Sequence, residues 1–137
     1  MAEPSASPSQ AEVTVDVFQR GRFSLVQPKT GAHRAGMDAL VLAAAVPGTF
    51  AGRAADFGAG AGAAGLAIAA RLDRATVVLV EREPAMADCA ARTIRHPDNA
   101  ALTNRISLLV ADVGLAGAAR REAGLADRSF DFVVMNP

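Results

Sequence analysis

Hydrophobic and polar positions alternate over 13–28. Val13, Val15 and Val17 interleave with Thr14, Asp16 and Phe18, and Phe23, Leu25 and Gln27 make a second alternating run. The polar stretch 19–22, which contains Gly21, separates the two runs, so the pattern predicts a β-hairpin. Further along the rhythm changes. A helix is predicted over 38–46, with Asp38 favourably placed against its N-terminal dipole and Pro47-Gly48 as its stop. A strand over 53–57 is weak by propensity because it is mostly alanine. An alanine-rich helix follows over 63–72. The continuous apolar run 76–80 fits a strand buried on both faces. A helix over 84–95 has Pro84 in its first turn, where proline is tolerated best. A third strand is predicted over 106–110, then a helical or mixed stretch over 113–126 broken by Gly114, Gly117 and Gly124. A fourth strand is predicted over 130–135. Strands alternating with helices imply a parallel sheet, a doubly wound α/β domain preceded by a hairpin and a helix.

Composition changes this picture little. The chain has 137 residues, is 51% hydrophobic and 20% charged, and carries a formal net charge of +0. That suffices for one globular domain over 13–137, after a tail over 1–12 expected to be disordered. Bulk charge does not point to nucleic acid. Locally it does: Arg20, Arg22, Lys29 and Arg34 face a single acid, Asp16, between Val13 and Gly36. A solvated hairpin edge and a nucleic-acid contact both explain such a segment. Residues 1–11 have no basic start and no apolar run, unlike a signal peptide. The longest uncharged stretches, 39–52 and 57–70, are too short to span a membrane, so no membrane partner is expected. Cys89 is the only cysteine. It excludes an internal disulfide or a cysteine metal cluster, fits a reducing, cytoplasmic setting, and reads most simply as a small buried helix residue. Met86, Cys89, Ala90 and Ile94 share helical spacing and are expected in the core. His33 and His96 are far apart and read as exposed loop residues, so no metal site is predicted. Ser24, Ser107 and Ser129 show no nucleophile context.

Each predicted sheet strand is followed by an informative polar feature, and in such sheets ligands bind beyond the carboxyl ends of the strands. After the first come Asp56, Gly58, Gly60 and Gly62. After the second comes Glu81, after the third Asp112, and after the fourth Asn136-Pro137. Alternate glycines allow a tight turn and a close ligand approach, and the helix start that follows presents N–H groups. Gly60-Ala-Gly62-Ala-Ala-Gly65 fits the dinucleotide GxGxxG pattern, and Glu81 stands where a ribose-binding acid would. Asp56 argues against NAD: a carboxylate on the floor of the loop repels a pyrophosphate and attracts an ammonium group.

The pattern Asp56-x-Gly58-x-Gly60-x-Gly62, an acid at 81, Ala111-Asp112-Val113 and Asn136-Pro137 resembles the class I S-adenosylmethionine (SAM) dependent methyltransferases. The resemblance covers roughly Gln27 to Pro137. Within that class, Gln27-Pro28-Lys29-Thr30-Gly31 with Arg34-Ala35-Gly36-Met37-Asp38 is similar to bacterial tRNA (adenine-N6)-methyltransferases that modify valine tRNA. The resemblance implies a Rossmann-like fold, of which four strands of a seven-stranded, mainly parallel sheet are present. It implies that Asp56 and the Gly58, Gly60, Gly62 loop hold the methionine end of SAM. Glu81 would take the ribose hydroxyls, and Asp112 and Val113 the adenine. Asn136 and Pro137 would be catalytic, accepting hydrogen bonds from the target amino group and aiming its lone pair by positioning. tRNA is the implied partner, with Arg20, Arg22, Lys29 and Arg34 as nucleic-acid contacts.

Family members continue Asn-Pro-Pro and then Phe or Tyr, whose ring stacks on a flipped base. This chain ends at Pro137, so it is expected to be truncated, to bind SAM and not to methylate. The strand at 130–135 would then leave an apolar edge open to self-association. A protein glutamine or rRNA guanine N-methyltransferase, a non-catalytic SAM- or RNA-binding module, and an NAD oxidoreductase are the alternatives; a small-molecule O-methyltransferase is less favoured, because it would not need Asn136-Pro137.

Overall fold

A computed structural model of the chain describes residues 12–30 and 34–137. The tail over 1–11 and His33 therefore lie outside the described residues. Strands β1 (Val13–Phe18) and β2 (Phe23–Pro28) form the expected antiparallel hairpin, and Phe18 stacks on Phe23 with ring centroids 5.4 Å apart. The turn between them places Gln19, Arg20 and Gly21 at positive φ. Helix α1 (Met37–Ala44) follows. The remaining elements are β3 (Gly52–Phe57), α2 (Ala63–Arg71), β4 (Ala75–Glu81), α3 (Pro84–Arg95), β5 (Ile106–Val110), α4 (Gly117–Glu122) and β6 (Phe132–Met135).

Strands β3 to β6 form one parallel sheet in the order β5-β4-β3-β6. The apolar run of β4 shows why this sheet has two covered faces. Val77 and Leu79 point into a core with Leu66 and Ile68 of α2, Ala43 of α1 and Ala90 of α3. Val78 and Val80 point the other way, onto Ala111 and Leu125. The alternation of side chains along a strand makes both sets apolar. The alanines of β3 are fully buried beside this strand. Small side chains there let the helices pack close, which outweighs their poor strand propensity.

The hairpin docks on α3 and on the turn at Pro97–Asn99 that follows it, through side chains that pair with the hairpin's backbone. Thr93 Oγ1 accepts from Val26 N at 2.9 Å, and Asn99 accepts from Ser24 N at 2.9 Å while donating to Ser24 O at 2.7 Å. Both Thr93 and Asn99 are buried, so these contacts satisfy strand groups that would otherwise be orphaned. Met86, Cys89 and Ala90 are buried on α3 as expected, with Ile94 packed at the core's margin. His96 is half-buried rather than exposed, its Nδ1 accepting from Asp98 N at 3.1 Å.

Two predicted elements are shorter than expected. The helical stretch over 113–126 reduces to α4, because Asp112 turns the chain by accepting from Gly114 N at 2.8 Å and Gly117 and Gly124 take positive φ. The strand over 130–135 begins only at Phe132. Asp131 uses its side chain to accept from Arg53 N at 2.8 Å, and Phe130 turns onto Phe57 and Arg53. No second strand pairs with β6 among the described residues, and Val133 and Met135 are about half exposed.

Candidate functional site

Register brings the polar features together. Phe57 stands opposite both Val80 of β4 and Met135 of β6, and Glu81 stands opposite Val110 of β5. Gly58 and Ala59 both donate to Val80 O, at 2.9 and 3.0 Å, so the chain leaving β3 turns over the end of β4. Asn136 follows β6 directly beside that turn, and Ala111 N donates to Glu81 O at 3.2 Å beside it on the other side. Asp56, the glycine loop, Glu81, Asp112 and Asn136 therefore share one edge of the sheet.

Two cavities open along this edge and meet at Gly58. The first, of about 230 Å³, is lined by Arg34, Asp38, Asp56, the loop over 58–61 and Asn136-Pro137. The second, of about 360 Å³, is lined by Gly58, Val80, Glu81, Arg82 and 111–114. Gly58, Gly60 and Gly62 all have positive φ, which glycine adopts without strain. A Cβ built on Gly58 meets nothing within 4 Å, so the space in front of the loop is open to a ligand. Gly65 is required for a different reason. A Cβ there would stand 2.3 Å from Leu79 Cδ2 and 3.3 Å from Asp56 Oδ2, so the start of α2 packs directly onto the sheet.

Asp56 is the most constrained group of the site. It is only 2% exposed, and its Oδ2 accepts from Gly65 N at 3.0 Å. That bond fills one of the unpaired N–H groups at the start of α2 and sets a negative charge against the positive end of the helix. The other oxygen accepts no hydrogen bond among the described residues. Burial therefore dominates and pushes the carboxyl up to about 7; the Gly65 bond opposes this and the charge of Glu81 adds to it. A cation in the first cavity would supply what the carboxylate lacks.

The acids of the second cavity are wetter. Glu81 is half-buried, and Asp112 has its Oδ1 in the turn to Gly114 and its Oδ2 3.7 Å from Arg82 Nη1. Val113 packs against the cluster of Val78, Val80, Ala111 and Leu125 on the sheet face below.

Of the four basic residues singled out from sequence, two are engaged within the protein. Arg34 donates to Asp16 at 3.0 Å, to Thr14 at 3.0 Å and to Pro28 O at 2.6 Å. Lys29 pairs with Glu12 at 3.2 Å. Arg20 and Arg22 are exposed at the hairpin tip and make no ion pair among the described residues.

Asp38 belongs to the site although its sequence context suggested only a helix-end charge. Its Oδ2 accepts from Asn136 Nδ2 at 3.0 Å. Two signals mark it in sequence: it closes the 34–38 motif, and it is the sole acid between Asp16 and Asp56. Gln27, which the sequence marks as a strand residue without a polar role, also supports the site. Buried, it donates to Asp16 at 2.7 Å and accepts from Ala35 N at 2.9 Å, tying the loop before α1 to the hairpin.

A family model described as the methyltransferase small domain matches residues 32–137. Among solved structures, the chain is similar to a predicted O-methyltransferase from Agrobacterium tumefaciens. The identity is 55% and the TM-score 0.69, over 72% of this chain and 48% of that one. It is also similar to Pyrococcus horikoshii TYW2 in complex with MeSAdo, at 16% identity and a TM-score of 0.58, over 85% of this chain and 48% of that one. The second likeness is one of fold. The chain spans about half the length of the structures it matches. No curated protein matches it.

Proposed function

The chain belongs to the methyltransferase small domain family, and from that membership we propose that it forms the cofactor-binding part of a SAM-dependent N-methyltransferase. The observation that carries this reading is the buried carboxylate of Asp56 at a cavity that Asn136 also lines. A dinucleotide pyrophosphate would meet a negative charge there, whereas the ammonium of a methionine moiety would meet its counter-ion. The residues present fit SAM. Asp56 and the loop over 58–62 would hold the amino-acid end, Glu81 the ribose hydroxyls, and Asp112 with Val113 the adenine. When bound, SAM supplies an electrophilic methyl group on a sulfonium.

The chain's own contribution is placement. Asn136 offers a carbonyl acceptor, and Pro137, which lacks an N–H, offers only its backbone carbonyl. Two acceptors can take the two N–H bonds of an amino group and leave its lone pair directed into the cavity. No side chain needs to become a covalent intermediate.

The acceptor we propose is the N6 amino group of adenine in tRNA, supported by the resemblance of 27–38 to the valine-tRNA enzymes. Arg20 and Arg22 are then the cations left for phosphate contact, since Arg34 and Lys29 pair with acids. The 55% identical A. tumefaciens protein, described as a predicted O-methyltransferase, supports a second reading in which a hydroxyl is the acceptor. Calorimetric titration tests the common part: S-adenosylhomocysteine binds and NAD does not. Binding of NAD with no binding of S-adenosylhomocysteine would overturn the assignment. The acceptor is tested by methyl transfer from labelled SAM in a chain extended to the length of the matched structures. N6-methyladenosine in digested tRNA is the expected product, and methyl ether products would favour the hydroxyl.

A further inference from the structure

An asparagine side chain has a carbonyl acceptor at one end and an NH2 donor at the other, and the two ends have nearly the same shape. Asn136 is exposed at a strand end, so packing does not choose between them. Its partner does. Asp38 Oδ2 lies 3.0 Å from Asn136 Nδ2, and an ionised carboxylate has only acceptors to offer. Only the NH2 end of Asn136 can face it.

Asp38 is built to stay ionised and in place. The hydrogen bond from Asn136, then backbone N–H groups of Ala39 and of Asp38 itself, hold its carboxyl below the ordinary carboxylate range. A Cβ on Gly36 would lie 3.3 Å from Asp38 Oδ1, so glycine leaves the carboxylate its room. The loop that delivers α1 is fixed in turn: Gln27 binds Ala35 N, and Arg34 binds Asp16 and Pro28 O. The other charged groups lining the same cavity are Arg34 and Asp56.

We propose that Asp38 is a positioning residue for the acceptor site. Its carboxylate holds the Nδ2 end of Asn136, so that Oδ1 is presented to the cavity as a fixed acceptor for an amino group. The donated N–H also polarises the amide, which strengthens Oδ1 as an acceptor. Asp38 itself touches neither cofactor nor acceptor in this scheme and moves no proton. The role assigned to Oδ1 rests on the N-methyltransferase reading; the orientation of the amide does not.

Side-chain NMR of the 15N-labelled chain, without ligand, tests the orientation. The Asn136 NH2 signals, identified by their loss in Asn136→Ala, are expected to shift between about pH 2.5 and 6. The midpoint should fall below the usual carboxylate value. Asp38→Asn and Asp38→Ala, each with an otherwise native spectrum, should abolish that titration; a structural role for Asp38 elsewhere would leave it in place. Calorimetry with S-adenosylhomocysteine on the same wild-type sample tests the cofactor reading separately. Titrating Asn136 signals in a chain that binds no S-adenosylhomocysteine would sink the methyltransferase reading and keep the clamp. Binding with Asn136 signals that stay fixed across the range would overturn the clamp.

Discussion

The two cavities that meet at Gly58 use the same chemistry under different solvation. In the first, the key carboxylate, Asp56, is 2% exposed and has one hydrogen bond. In the second, Glu81 is half-buried and Asp112 lies beside an exposed arginine. A dry carboxylate is costly to ionise and gains much from a cation, whereas a wet one exchanges water for ligand at small net gain. The cleft should thus be anchored at one end and adjustable at the other.

Substitutions ranked by expected effect test that asymmetry. Asp56→Asn keeps an acceptor for Gly65 N and removes only the charge. It should weaken S-adenosylhomocysteine binding about 100-fold, in line with about 1.5–3 kcal/mol for a hydrogen bond to a charged group. Calorimetry reads the loss. The same variant should unfold at higher urea than the wild type at pH 8, since it removes a buried charge. A joint loss of binding and stability would instead point to a damaged fold. Gly65→Ala comes next, with a cost of about 1–3 kcal/mol from overpacking against Leu79, read from the urea midpoint. Glu81→Gln should weaken S-adenosylhomocysteine about tenfold, or about 1.4 kcal/mol, with an unchanged urea midpoint. Arg82→Ala should be smallest, within about twofold, because an exposed ion pair contributes little. A larger loss at Arg82 than at Asp56 would invert the comparison.

The sheet was far more legible in the sequence than the site's polar supports. The apolar run of β4 and the glycine spacing have local periods, and both predict what is found at nearly the same residues. The convergence of Asp56, Glu81, Asp112 and Asn136 followed from topology, because parallel strands put all their carboxyl ends on one edge. The Asp38–Asn136 bond joins positions 98 apart, and the Thr93 and Asn99 contacts to the hairpin join positions 67 and 75 apart. Such pairs leave no periodic trace. Arg34 reads as part of a basic segment until folding sets it against Asp16. Phe130 is apolar and β-forming, yet Asp131 takes a strand N–H with its side chain and the ladder starts one residue later.

Asp56 also links the site to pH. Its carboxyl titrates near 7 in the fold against an ordinary value of 3.8. The native state therefore binds a proton more readily than the unfolded chain between those values. Stability from this group is fully present below the lower value and lost as pH rises through the upper one, by at most about 4 kcal/mol. Urea unfolding at pH 5 and pH 8 should show the loss in the wild type and not in Asp56→Asn.

A ligand ammonium reverses that preference, because it needs the carboxylate charged. The most direct test is calorimetric titration with S-adenosylhomocysteine from pH 5.5 to 8.5, in buffers of different ionisation enthalpy. Affinity should rise through about pH 7, with proton release on binding at the acid end, and Asp56→Asn should bind weakly without either trend. Wild-type affinity that stays level or falls over this range, with no proton released, would contradict an ammonium site at Asp56.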